Sequence, residues 1–270
     1  ALGAHLAAGI MTARPELWPE TVRGLVVHSA EWTPAMRARF DAAGSQQQKL
    51  AMLRRYGWGV PDLGRALLSA SNDATLMVED ALLPFRKDGS DIRTRDMHLH
   101  RLPWPREELL ALGEQDVELR VTLSYFIEPN PGERGWTRRH RYASHSLRFA
   151  VKRSLESLSE FRQRINKAAL AEESGEARGS GGGDGWLLGM IRDRGSIHSD
   201  IWRGSAAALA ERDAIGVFPV SGWWKEKPGL QRWDRSVRYS LLISIRAPAA
   251  EVDIYTAIAN QIAVTVPVSS

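Results

Sequence analysis

Residues 1–13 constrain what this chain can fold into more than any other stretch. Ala1, Ala4, Ala7, Ala8 and Gly9 are small enough for another backbone to approach closely, and Leu2, Leu6, Ile10 and Met11 lie between them. A helix that is apolar on nearly every side is expected inside a large core. His5 on such a helix reads as a core residue, not a proton carrier. A chain opening on this helix would have no capping residue and no earlier strand to pack against, so part of the protein is expected upstream of Ala1.

The periodicity then stays helical to about residue 68. Pro15 to Pro19 form a turn, and from Glu20 to Ala30 the residues Val22, Leu25 and Val26 share one face, with Arg23 opposite in solvent. His28 is placed to cap carbonyls of that helix's last turn. One or two short helices follow between Ala35 and Tyr56, around an exposed polar turn at Gly44 to Gln48, and Lys49, Arg54 and Arg55 make a solvated basic stripe. Gly57 and Gly59 lead into Pro61-Asp62, where Asp62 caps a short helix running to Leu68.

Two of these segments resemble subtilisin-like serine peptidases (subtilases). The Ala-rich helix, the Pro15–Pro19 turn and the helix ending at Ser29-Ala30 resemble the segment that follows the Gly-Thr-Ser-x-Ala nucleophile motif. Gly57-Trp-Gly-Val-Pro-Asp62, with Ala66 and Leu67, is similar to the Gly-x-Gly-x-x-Asn/Asp-x-x-x-Ala pattern that closes such catalytic domains. The resemblance implies acyl transfer by a Ser–His–Asp triad whose nucleophile lies just before Ala1, with the Asp, His and oxyanion-hole Asn further upstream. No catalytic residue is therefore expected in this chain, which alone should not hydrolyse peptides. Calcium is possible by the same resemblance, but the sequence offers no identifiable site; no cofactor is expected. Residues 1–70 read as the C-terminal segment of the catalytic domain, and residues 71–270 as a jelly-roll-like antiparallel β-sandwich, an α+β chain overall. The alternative is a non-catalytic β-sandwich that binds other proteins.

After the polar linker Ser69–Asp73 the period becomes two. Strands are expected at Thr75–Leu83, Asp96–Leu102, Asp116–Ile127, Ser146–Lys152, Ser196–Arg203, Ala214–Ser221, Arg235–Arg246 and Gln261–Val268. Residues 86–91 read as a charged turn and 106–112 as a short helix. In the stretch from 116 to 127, Val117, Leu119, Val121, Leu123 and Tyr125 share a face. A helical and Gly-rich insertion spans about 154–185. Its glycines lack the Gly-Lys-Ser/Thr of a phosphate loop.

Composition narrows the function. Lys and Arg exceed Asp and Glu by only 36 − 32 = 4, too little to argue for a nucleic-acid partner. Without Cys there is no disulfide, thiolate nucleophile or Cys-ligated zinc, which fits a reducing compartment without assigning one. No run of about 20 apolar residues suggests a membrane span.

Four constellations remain. Ser196, His198 and Asp200 alternate on one strand face, but side chains about 7 Å apart along a strand do not clamp one imidazole in series, so they read as a strand's polar outer face. Asp96, His98 and His100 share a face as well. His-x-His suits zinc, but with no further partner named nearby it reads as a solvent-facing polar row. Arg138, Arg139 and Arg141, with Arg134, Trp136, His140 and Tyr142, form a basic and aromatic loop that reads first as solvated with cation–π contacts, and in the alternative as a surface for a protein or nucleic-acid partner. Trp223 and Trp224 read as a second protein-binding patch.

Overall fold

The computed structural model describes residues 2–71, 75–131, 142–174 and 184–246. The strand expected over 261–268, most of the Gly-rich stretch, and Arg138, Arg139 and Arg141 lie outside these residues. The architecture is mixed helix and antiparallel sheet, an α+β chain.

Five helices come first: α1 (Leu2–Ala13), α2 (Pro19–His28), α3 (Pro34–Asp41), α4 (Gln46–Tyr56) and α5 (Leu63–Ser71). The polar Gln run expected as a turn is instead the start of α4. Ser45 accepts from the Gln48 amide and Gln48 reaches back to the Ser45 amide, a reciprocal cap that makes polar residues good helix openers. Asp62 caps α5 as its position suggests, accepting from the Arg65 amide at 2.7 Å.

Helix α1 is not apolar-buried all round. Leu6 and Ile10 are buried, whereas Leu2 and Met11 are more than half exposed. Its packing face meets α2 and α5, where Gly9 lets the Leu63 methyls approach to the distance at which a Cβ would already crowd them. Ile10 joins Val22, Leu25 and Ala66 in one cluster, which Leu242 from the sheet completes.

The strands are β1 (Thr75–Leu82), β2 (Phe85–Asp88), β3 (Asp91–Thr94), β4 (His98–Arg101), β5 (Asp116–Tyr125), β6 (Ser146–Val151), β7 (Ile197–Ser205), β8 (Ala214–Val220) and β9 (Val237–Arg246). Helix α6 (Arg106–Leu112) precedes β5, α7 (Leu158–Ser174) follows β6, α8 (Ala206–Ala210) follows β7, and α9 (Trp223–Glu226) follows β8. Among the described residues one sheet has the order β1-β9-β5-β7, a second β4-β8-β6, and β2 pairs with β3. Residues 86–91 thus form part of a hairpin turning at Gly89, whose φ of 61° suits a residue without Cβ. The antiparallel pairs β1:β9, β4:β8 and β5:β7 are nested, so the chain runs out and then returns along itself, alternating between the two sheets.

The inner faces of both sheets share one core. Val117, Leu119, Val121, Leu123 and Tyr125 of β5 are all buried there, with Leu147 and Phe149 of β6, Ile215 and Val217 of β8, and Tyr239, Leu241 and Ile243 of β9. Each such side chain withdraws about 1.5–3 kcal/mol of apolar surface from water. On its other face the larger sheet is polar, with Thr122, Ser124, Ser199 and Ser240 buried. Helix α2 lies across that face, and Gly24 allows the approach: a Cβ there would stand 3.0 Å from Leu242 and 3.5 Å from the Ser124 Cβ.

Candidate functional site

Because α2 covers a polar sheet face, its side chains must find partners there. His28 does so with both ring nitrogens: Nδ1 lies 2.9 Å from Thr122 Oγ1 and Nε2 2.9 Å from Ser244 Oγ, and Thr122 continues to Ser199 at 2.8 Å. Burial, and then the charges of Arg120 and Arg246, hold this imidazole well below its ordinary pKa. Both ring partners are hydroxyls, so among the described residues no carboxylate orients it. His28 does not cap its own helix. Arg120 of β5 does, donating to Ala30 O at 2.7 Å and Val27 O at 3.0 Å at the negative end of the α2 dipole. Arg23 likewise departs from the expected solvated face. Its guanidinium donates to Ser124 Oγ and to the Tyr125 and Ser196 carbonyls, and stacks 4.4 Å over Phe126.

Beside this seam opens a cavity of about 360 Å³, whose lining includes Arg37, Arg65, Arg120, Arg203 and Arg246 against Glu31 and Glu118. Leu187, Ile201 and Ile245 supply an apolar wall. Trp32 and Trp58 stack with ring centroids 5.6 Å apart, and the Arg120 guanidinium caps the column 5.2 Å over Trp58. Arg246 bonds Glu31, and Arg203 bonds Glu118 at 2.8 Å, so part of the positive charge is answered within the cleft. Burial and then the nearby Arg246 lower the Arg120 pKa to about 10, and its buried Nε has no hydrogen-bond partner among the described residues. The lining thus sets five arginines against two glutamates, a net positive charge.

Ser196, His198 and Asp200 do not form a relay. Ser196 Oγ accepts from Arg23, and His198 Nε2 contacts Gly195 O at 3.1 Å. Asp200 accepts from the Leu188, Gly189 and Ile201 amides and from Arg192. The expected polar outer face is corrected too. His198 and Asp200 pair with Leu123 and Val121 in register, so they point inward, where the ring packs edge-on to Tyr125. Burial pushes the His198 pKa down to about 4, and burial raises that of Asp200 despite Arg192.

His98 and His100 also face inward, opposite the core residues Val217 and Ile215. Their carboxylate neighbour is Asp80 of β1, not Asp96, which pairs with Arg95. Tyr239 of β9, in register with Asp80, sends its hydroxyl to both rings.

Trp223 and Trp224 form no exposed patch; both are buried. Gly222 lies so close to the Ser144 carbonyl that the chain tucks the pair beneath it, and the two indole nitrogens donate to Glu128 O and Glu128 Oε2 at 3.0 Å each. Sequence reasoning missed Arg120 and Asp80. A charged residue within a strongly alternating strand was the available signal for Arg120; Asp80 had none.

Among the described residues no helix is long and apolar enough to cross a membrane. Comparisons with protein-family models, curated proteins and solved structures find no match.

Proposed function

We propose that the chain is the C-terminal part of a subtilisin-like serine endopeptidase. Its first seventy residues complete the α/β catalytic domain, and the remainder is an appended jelly-roll sandwich. The observation that carries this reading is the packing of α1 against α5. The Ala-rich helix and the Gly57–Leu67 motif, the two segments that resemble the family, meet through Gly9 against Leu63 and Ile10 beside Ala66. In the family scheme, the N-terminus of α1 orients the nucleophilic Ser. The nested strand pairs β1:β9, β4:β8 and β5:β7, divided between two sheets with a common core, support the jelly roll. The sandwich would brace the catalytic domain through α2, whose polar contacts with the sheet are specific in geometry.

Casein hydrolysis tests the reading. This chain alone is expected to be inactive, and a version extended through the upstream reading frame is expected to cleave. Failure of both to cleave would overturn it. A second reading, a non-catalytic binding module, is favoured by one observation, the arginine-lined cleft. It predicts salt-sensitive binding of an acidic peptide such as oligoglutamate, lost in Arg246→Ala.

A further inference from the structure

At the edge where β1 of one sheet faces β4 of the other, four polar side chains point into the sandwich and meet. Asp80, His98 and His100 each bring one ligand-type atom to within 4.8 Å of the others. His98 Nδ1 is 2.9 Å from Asp80 Oδ2. The Tyr239 hydroxyl lies 2.9 Å from His98 Nδ1, 2.7 Å from His100 Nε2 and 3.4 Å from Asp80 Oδ2. We propose that Asp80, His98, His100 and Tyr239 form a binding site for a divalent first-row transition metal, zinc above all, that ties the two sheets together at this edge.

The spacing supports it first. Donors around a tetrahedral zinc with bonds of roughly 2.0–2.1 Å stand about 3.3 Å from one another. Four of the six donor separations, 2.7 to 3.4 Å, lie near that distance, and the other two, from His100 to His98 and to Asp80, are within 4.8 Å. Donor chemistry comes second. Two imidazoles and a carboxylate suit zinc and its neighbours, whereas calcium and magnesium prefer all-oxygen shells. Placement comes third. Asp80 pairs with Tyr239 in register, and His98 and His100 pair with Val217 and Ile215, so strand alternation itself aims all four side chains into one space. Regular strands hold ligands more firmly than loops do. Access comes last. The side chains of Asp80 and His98 are 42% and 27% exposed, which gives an ion a path from solvent, while Tyr239 is buried as the floor.

The competing account is a hydrogen-bond network that satisfies itself. In that network His98 Nδ1 can donate to Asp80 Oδ2 while the Tyr239 hydroxyl donates to His100 Nε2, the ring tautomers deciding the roles. The same four groups also suit a bound cation. Asp80, the two rings and the Tyr239 oxygen become its four donors, and protons on the coordinating atoms pass to water. The site is distinct from the cleft beside α2 and does not depend on the peptidase reading.

The test is zinc titration of the chelator-treated full chain by calorimetry, with cobalt(II) as a spectroscopic reporter of coordination. One equivalent of zinc is expected, with a higher melting temperature and the intense visible bands of four-coordinate cobalt. Asp80→Asn and His100→Gln should each weaken binding by about 100-fold, and Tyr239→Phe by about 10–100-fold. Far-UV circular dichroism identifies variants that remain folded, and Asp80→Asn, at a half-exposed position, is the safest of them. Absence of stoichiometric binding by the native chain would overturn the proposal. So would unchanged affinity in a folded Asp80→Asn/His100→Gln variant, which would put the zinc elsewhere.

Discussion

Arg120 shows how one residue ties the helical segment to the four-stranded sheet. It grows from the polar face of β5, closes the C-terminus of α2 through Val27 O and Ala30 O, and ends the Trp32–Trp58 column. Arg120→Met keeps the length but removes those bonds. It should cost about 1–3 kcal/mol, read as a lower midpoint in urea unfolding, because two carbonyls lose their donor. An unchanged midpoint would mean that water replaces the guanidinium without loss. His198 makes a second prediction at this scale. Its folded-state pKa, about 4, lies below the ordinary 6.5, so the unfolded chain binds the extra proton between those values. Its contribution is therefore fully present above about pH 6.5 and is lost as pH falls towards 4, on the order of 3 kcal/mol. His145, lowered by burial to about 3, and His28 act in the same direction. The melting temperature should fall across this window, and His198→Gln should flatten the fall. An equal slope in that variant would contradict the assignment.

Among the elements, α2 depends on Gly24 for its approach to the sheet. Gly24→Val would drive methyl groups into Leu242 and Ser124 and should destabilise by about 1–3 kcal/mol, measured by thermal unfolding. What the sequence revealed of such elements depended on whether burial was one-sided. The β5 stripe from Val117 to Tyr125 was legible because one face meets the core and the other does not. The helix at 106–112 was legible for the same reason. Alternation also found β4 and β7, but it cannot say which of two faces turns inward. His98, His100, His198 and Asp200 are polar yet inward, because sheet edges and strand ends tolerate buried polar groups that find partners. The β2–β3 ribbon left no apolar alternation, since among the described residues it pairs with no other strand and it presents its charged residues to water. Trp223 and Trp224 looked like an exposed pair only because their polar partner, Glu128, lies 95 and 96 residues away.

For the whole molecule, the seam between the helical segment and the four-stranded sheet is shared by both. Leu242 belongs to the cluster of Ile10, Val22, Leu25 and Ala66, and Met77 of β1 packs against it. The chain should therefore unfold in one calorimetric transition, and Ile10→Ala should lower that transition as a whole by about 2–5 kcal/mol while exposed Met11→Ala changes little. Two separated transitions, with Ile10→Ala moving only one, would mean that the segments are independent. The peptidase reading rests on the same seam, because α1 can orient a nucleophile only if α2 and α5 hold it. The most direct measurement is fluorophosphonate labelling of the upstream-extended protein, with the modified residue located by mass spectrometry. A single labelled serine is expected a few residues before Ala1, and no label on residues 1–270 alone. A label on Ser196 or any other serine of this chain, or none in the extended protein, would contradict it.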